Sequence, residues 1–330
     1  MSDKRLRVAV IGVGRAGSLH AKLYRHLPRA RLVAVCDVDR SRCLAVAAEL
    51  RTAAVADYRQ LWGRVEAVSI AVPASRHYAI GRDCLRHGLH VLMEKPLATH
   101  LRQADALVRL ARASRRLLQV GHVERFNRAI QAVLPRLGRV RYLESDRISP
   151  YPYRGTDVSV VLDVMIHDLD MVLALVRSRV RRVHAVGVPV LSRLPDLANV
   201  RLEFANGAVA NLTASRVSDE SVRKLRLFQS DAYFSLDLVT QTVEIAQRDG
   251  RAIHRRWLPI IKRQPLQAEL AHFVDAVLHR RRPLVSGREA REALALALRI
   301  EACLRRGRGR QAHLRRPCPP RSERGRRGYG

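Results

Sequence analysis

The chain reads as two α/β units in succession: a doubly wound parallel sheet, then an α+β unit whose sheet is mostly antiparallel. Three observations predict this. Up to residue 122, short apolar runs alternate with stretches of helical period, the pattern of a parallel sheet with right-handed crossovers. The first run ends in a glycine-rich turn, Gly12-Val13-Gly14-Arg15-Ala16-Gly17, and the second ends on Asp37, 20 residues after the last glycine. Past residue 140 the runs follow one another, with hairpin dipeptides Asn206-Gly207 and Asp249-Gly250 between them.

In order, residues 6–11 form a strand, a helix runs to about Leu27, and 31–36 form a second strand. A short helix is expected over 57–62. A buried strand at 65–72 is closed by Pro73, and Ser75 caps a helix to about His87. The strand 90–93 runs into Glu94-Lys95-Pro96, Thr99 caps a helix over 100–114, and a strand at 117–120 ends at Gly121-His122. Such sheets bind ligands beyond the C-terminal ends of their strands, where Asp37, Pro73, Glu94, Lys95 and His122 all fall. Glu124 to Asn127 opens a helix to about Leu137. A strand at 140–148, a Pro- and Tyr-rich loop and a helix over 157–176 come next. Strands fill 180–258, and helices over 266–279 and 288–305 complete the fold. The expected division is residues 1–122, 123–304 and a disordered Arg-rich tail, 305–330.

Composition narrows the class. The net charge is +31 over 330 residues, carried almost wholly by Arg, and about a third of it lies in the tail. A tail of Arg, Gly and Pro reads as a solvated appendage in preference to a nucleic-acid binder. No apolar run reaches membrane length, and the N-terminal run leads into a glycine turn without a signal-peptide cleavage region. The five cysteines, Cys36, Cys43, Cys84, Cys303 and Cys318, form no CxxC pair. Neither a metal site nor a disulfide framework is expected, and a reducing cytoplasm fits.

The glycine turn carries the first piece of chemistry. Gly12 permits the tight turn, Gly14 lets backbone approach a pyrophosphate, and Gly17 lets helix pack on strand. The helix N-terminus offers free N–H groups to the phosphates. Asp37 is placed to take the ribose hydroxyls and to repel a 2′-phosphate, so NAD is expected in preference to NADP, with Arg40 and Arg42 acting against that preference. Val13, Arg15 and Ala16, then Val72, Pro73 and His77, and finally Glu94, Lys95 and Pro96 complete the expected cofactor contacts. Lys95 is one of only five lysines in a chain that otherwise writes Arg, which marks a position needing an amine that changes protonation.

The second piece is the helix over 157–176. Helical spacing stacks Asp163, His167 and Asp170 on one face of an otherwise apolar helix. Buried acid and imidazole groups need a polar cavity or partners. The alternative is a purely structural Asp–His pair. Oxidising a secondary alcohol needs a hydride acceptor and a base close to the hydroxyl. His167 suits the base, oriented by Asp163, while Lys95 stabilises the alkoxide. Arg125 and Arg154 flank the pocket in sequence and suit substrate phosphates.

The glycine turn, Glu94-Lys95-Pro96 and Asp163-x-x-x-His167 together resemble the glucose–fructose oxidoreductase/inositol dehydrogenase (Gfo/Idh/MocA) family over about residues 4–304. The resemblance implies that Lys95 is catalytic, that Pro96 shapes the nicotinamide site, and that Asp163 and His167 contact a sugar. Residues 120–127 and 156–170 are similar to the family's UDP-N-acetylglucosamine 3-dehydrogenases. These form 3-keto nucleotide sugars on the way to 3-amino sugars of lipid A or surface glycans. That likeness adds His122 and Asn127 to the expected substrate contacts. The chain departs from the subgroup at Arg128, usually Pro, and Ser159, usually acidic. An inositol or free-sugar dehydrogenase and a non-catalytic dinucleotide sensor are the alternatives. The uncovered face of the second sheet suggests a homodimer or homotetramer.

Overall fold

Six short strands, β1 (Leu6–Ile11), β2 (Ala30–Cys36), β3 (Ala53–Val55), β4 (Ala67–Ile70), β5 (His90–Met93) and β6 (Leu118–Val120), form one all-parallel sheet in the order β3-β2-β1-β4-β5-β6. The computed structural model describes residues 5–151 and 158–314. The strands are nearly continuous in apolar residues because helices cover both faces. α1 (Arg15–His26), α2 (Arg40–Leu50), α3 (Ala74–Arg86) and α4 (Leu101–Ala113) supply that cover. Strand order reverses between β1 and β4, which opens a crevice at their C-terminal ends. β3 escapes the sequence reading because three residues carry no period. The expected caps at Ser75 and Thr99 also shift: α3 starts after Pro73 and α4 after His100, and neither has a side-chain cap.

Beyond β6, the expected single helix to Leu137 is instead three pieces. A 3-10 turn, Val123–Phe126, precedes α5 (Arg128–Val133), and a second 3-10 turn, Leu134–Arg136, follows. Asn127 breaks the run by capping α5, its side chain accepting from Ala129 N at 3.0 Å. β7 (Tyr142–Ile148) then enters a second sheet. Its other strands are β8 (Val180–Val188), β9 (Leu197–Phe204), β10 (Val209–Ser215), β11 (Val222–Phe228), β12 (Ala232–Asp237), β13 (Thr242–Asp249) and β14 (Ala252–Trp257). Their order is β14-β13-β12-β11-β7-β10-β9-β8, antiparallel except where β7 meets β10. Both hairpin dipeptides turn as expected, with Gly207 at φ 82° and Gly250 at φ 57°.

One face of this sheet alternates inward. Leu143, Val200, Leu212 and Leu225 share a core with Met165, Leu169, Val172 and Leu175 of the site helix. Each such side chain contributes about 1.5–3 kcal/mol by leaving water. The site helix is not uniform: Val161–Met165 form a π turn, and α6 (Ile166–Val176) continues from it. Its expected start at 157 lies outside the described residues.

The chain then returns to the first sheet. In α7 (Pro265–Leu278), Leu270, Phe273 and Val274 share a core with Val8, Val10 and Leu92. In α8 (Gly287–Leu314), Ala290 and Leu294 join the core of the parallel sheet, while Ala297 and Ile300 join that of the second sheet. This one helix fastens the two halves. The tail expected to be disordered from 305 is instead helical to Leu314. Residues 315–330 lie outside the described residues.

Candidate active site

The nucleotide end of the crevice is built from backbone. Gly12 has φ +83°, and a Cβ there would sit 2.6 Å from the Ala71 carbonyl oxygen, so no side chain fits. A Cβ at Gly17 would fall 1.8 Å from Gly12 O, whereas one at Gly14 would meet nothing within 4 Å. The turn is closed on its inner side and open where an anion would approach. α1 begins with no side-chain cap and no acid in its first turn, so Arg15 and Ala16 present backbone donors free of side-chain claims, whereas Val13 N is already committed to Asp37. Asp37, buried at the end of β2, accepts from Val13 N at 2.8 Å, Asp39 N at 2.9 Å and Arg42 Nη2 at 2.9 Å. Burial pushes its pKa up, but Arg42 and the two backbone donors outweigh this and hold it below the ordinary carboxylate range. An ionised acid beside an open glycine cradle fits a nicotinamide dinucleotide.

At the other end, His77 braces the wall: Nδ1 lies 2.7 Å from Pro96 O and Nε2 2.9 Å from Val72 O. Both nitrogens are spent within the protein, so His77 shapes the pocket beside Val72 and Pro73 and offers no free polar atom to a cofactor. Glu94 carries the next support. Its Oε1 is 3.1 Å from His20 Nε2, and its Oε2 accepts from Lys95 N at 3.2 Å. Burial raises the Glu94 pKa, and His20 and Lys95 more than offset it, leaving the acid ionised. Behind it, Glu269 of α7 is fully buried with neither carboxylate oxygen hydrogen-bonded. Burial, then the charges of Glu94 and Asp170, push its pKa well above the usual value. Nothing in the sequence distinguished it from any helical glutamate.

Lys95, carried on a cis Lys95–Pro96 junction, reaches across to the second half. Its Nζ donates to the Asp163 carbonyl at 2.5 Å and to Oδ1 at 3.0 Å. The π turn accounts for this contact. It adds a residue to the helical turn and frees a backbone carbonyl, a device found often at functional sites. The expected orientation of His167 by Asp163 is thereby overturned, because Asp163 engages Lys95 and no described hydrogen bond or ion pair joins it to His167. His167 instead stands edge-on to His122, ring centroids 6.0 Å apart. Its Nδ1 is buried without a partner, while the residue as a whole keeps partial exposure. Burial first, then Lys95 and Arg147, hold its pKa well below the ordinary value, so the imidazole is neutral at neutral pH.

A buried ion cluster underlies these groups, and the sequence reading missed it. Arg147 of β7 binds Asp168 through Nε at 2.8 Å and Nη2 at 3.0 Å, and Glu124 through Nη1 at 3.0 Å. Glu124 also meets Arg223 at 3.4 Å. The partners are far apart in sequence, and Asp168 is one of three acids in the apolar helix, with nothing local to single it out. Two expected substrate contacts are corrected. The Asn127 side chain is consumed by Ala129 N, Glu124 Oε2 and Leu238 O, because it caps α5. Arg125 turns beneath α6, its Nη1 3.6 Å from Asp170 Oδ2, and lines a different cavity. Arg154 lies outside the described residues.

Residues 6–122 match the model of an oxidoreductase family with an NAD-binding Rossmann fold, GFO_IDH_MocA. Residues 133–235 match the GFO/IDH/MocA C-terminal domain. A UDP-N-acetylglucosamine 3-dehydrogenase from Acidithiobacillus ferrooxidans is 36% identical over 306 residues, 91% of this chain and 97% of that protein. A solved structure of that enzyme superposes with a TM-score of 0.87, covering 91% of this chain and 98% of the other. An inositol 2-dehydrogenase from Rubrobacter xylanophilus is 31% identical over 240 residues, 66% of each chain.

Proposed function

The chain belongs to the Gfo/Idh/MocA oxidoreductase family, and we propose that it oxidises the 3-hydroxyl of UDP-N-acetylglucosamine, or of a closely related nucleotide sugar, to the 3-ketone with NAD as acceptor. The observation that carries this reading is the likeness to the Acidithiobacillus ferrooxidans enzyme along nearly the full length of both chains. The meeting of Lys95 with Asp163 beside a neutral His167 supplies the chemistry the reaction needs.

The bound dinucleotide would accept the hydride from the carbinol carbon. The rest falls to the chain. The glycine turn and the start of α1 hold the pyrophosphate, and Asp37 takes the ribose hydroxyls. His167, neutral and facing the crevice, accepts the hydroxyl proton. Lys95 stabilises the oxygen as charge develops, held in place by the Asp163 carbonyl and carboxylate. Pro96 and His77 fix the wall behind it, and His122 lies behind His167. Arg223, half exposed on β11 and paired among the described residues with Glu124 at 3.4 Å, is the cation we assign to a substrate phosphate in place of Arg125.

In this reading residues up to 122 hold the cofactor and supply Lys95, those after it supply the sugar contacts, and α7 with the start of α8 returns to the first core. The product would feed amination towards a 3-amino sugar of lipid A or a surface glycan. We place the enzyme in the cytoplasm; among the described residues no helix is long and apolar enough to cross a membrane. The open face of the second sheet, with Tyr142, Glu144, Asn211 and Arg226 laced together, is assigned to a homodimer contact, doubled in a homotetramer.

The test is NADH formation from a panel of UDP-sugars and free polyols. UDP-N-acetylglucosamine should be oxidised with the highest kcat/KM. Faster turnover of inositol would transfer the assignment to inositol dehydrogenase, and no turnover of any alcohol would leave a dinucleotide sensor.

A further inference from the structure

Oxidation of an alcohol leaves a proton inside the protein, and the structure holds a set of buried polar atoms without hydrogen bonds. His167 Nδ1, both ring nitrogens of His122, and Asp170 Oδ2 are all buried with no hydrogen-bond partner, Asp170 Oδ2 standing 3.6 Å from the Arg125 guanidinium. Buried polar atoms are nearly always paired, so a group of unpaired ones asks for an explanation. The two rings are neighbours, and Asp170 lies three residues beyond His167 on the same helix. The His167 and His122 rings stand edge to face, their centroids 6.0 Å apart. Among charged groups, Asp170 acts most strongly on His122, and His122 on Asp170. Asp170 in turn lines a cavity of about 330 Å³ beneath α6, together with Arg125 and Glu289 and with Arg177 and Glu292 exposed at its rim. Of these groups Asp170 lines the cavity, while Lys95, Asp163 and His167 do not, so it is separate from the catalytic groups.

We propose that His122 and Asp170 carry the reaction proton from His167 to the solvent-facing cavity under α6. The inference rests on the sugar-dehydrogenase reading. In the forward step the carbinol C–H bond breaks and its electron pair leaves as hydride to the nicotinamide. The O–H bond breaks and its proton goes to His167 Nε2. The imidazole then gives up the proton on Nδ1 to His122, which passes one on to Asp170 and so to solvent. The sum is alcohol plus NAD⁺ giving ketone, NADH and H⁺. His167 and Asp170 are three residues apart on one helix, with His122 supplied by the end of β6, so the route needs no moving segment. The groups facing His122 are Asp170, Lys95, Arg125 and Glu94, and those facing Asp170 are His122, Arg125 and Glu289. The acids favour a proton on His122 and the two cations return it, which suits a site of passage.

Asp170→Asn keeps shape and removes the acceptor, and His122→Gln is the second variant should the first fold poorly. Wild type and variants are compared on whichever alcohol the wild type oxidises, with NADH followed by absorbance and released protons by an indicator dye. In weak buffer each variant should lose about tenfold or more in kcat, within the usual range for assisted proton transfer, with sugar KM and NAD binding little changed. Proton release should lag NADH formation in the variants, and added imidazole should restore turnover to them but not accelerate wild type. Wild-type turnover in both variants at every buffer concentration, or a loss that imidazole leaves untouched, overturns the route. A wild-type chain that oxidises no alcohol overturns the underlying reading instead.

Discussion

Replacing Lys95 with Met removes the amine and keeps the length of the side chain. Two consequences can be separated by size. The pair with Asp163 is partly open to solvent, the two side chains being 20% and 34% exposed, and such pairs contribute about 0–1 kcal/mol. The protein should therefore fold with its Tm nearly unchanged. Catalysis should suffer far more, because the ammonium acts as charge builds on the substrate oxygen. Acid–base and charge-stabilising groups contribute about 10²–10⁴-fold, or roughly 2.7–5.5 kcal/mol of barrier. The loss should appear in kcat, with NAD binding held by the glycine turn and Asp37, whose contacts do not include Lys95. Steady-state NADH formation, fluorescence titration with NAD and a thermal melt measure the three terms. A Lys95→Met protein that melts like wild type and turns over within tenfold of it would refute the argument.

NAD should bind at least tenfold more tightly than NADP, about 1.4 kcal/mol, because Asp37 stays ionised; titration should show Arg42→Ala widening that gap and Asp37→Ala narrowing it. Arg147→Met should lower stability by about 3–5 kcal/mol in urea denaturation, since it strands Asp168 and Glu124 as buried charges, and a loss under 1 kcal/mol would show the cluster to be relaxed. For Glu269 the folded pKa lies above the unfolded value near 4.5, so its contribution to stability is intact below that pH and is lost as pH rises towards the folded value. Relative to wild type, Glu269→Gln should gain up to about 1.4 kcal/mol for each pH unit above 4.5 in that window, and a flat difference between pH 5 and 7 would contradict its raised pKa.

Most of the scaffold was legible because its signals are local. Gly12 and Gly17 are dictated by contacts a few ångströms away, and the two hairpin glycines by their own positive φ. Lys95 stood out because the chain otherwise writes Arg. Residues whose role depends on distant partners were misread or missed. Val161–Met165 has the composition of an ordinary helix, so nothing announced the π turn that gives Asp163 to Lys95. Arg125 and Asn127 had suitable chemistry and proximity in sequence, yet Asp170 and the start of α5 claim them. The Arg147 cluster joins β7, α6 and the 3-10 turn after β6, a meeting that only the folded chain reveals.

The bond from Lys95 to the carbonyl of Asp163 bears on how such enzymes diversify. A carbonyl is present whatever residue occupies position 163, so one of the two bonds Lys95 makes across to the second half is indifferent to side-chain identity. A gene segment encoding the second sheet could be exchanged by recombination, or drift towards a new sugar, without losing the register of the amine against it. The lineage can thus inherit its redox machinery unchanged while its taste in substrates wanders, provided the extra residue in the helical turn is inherited too.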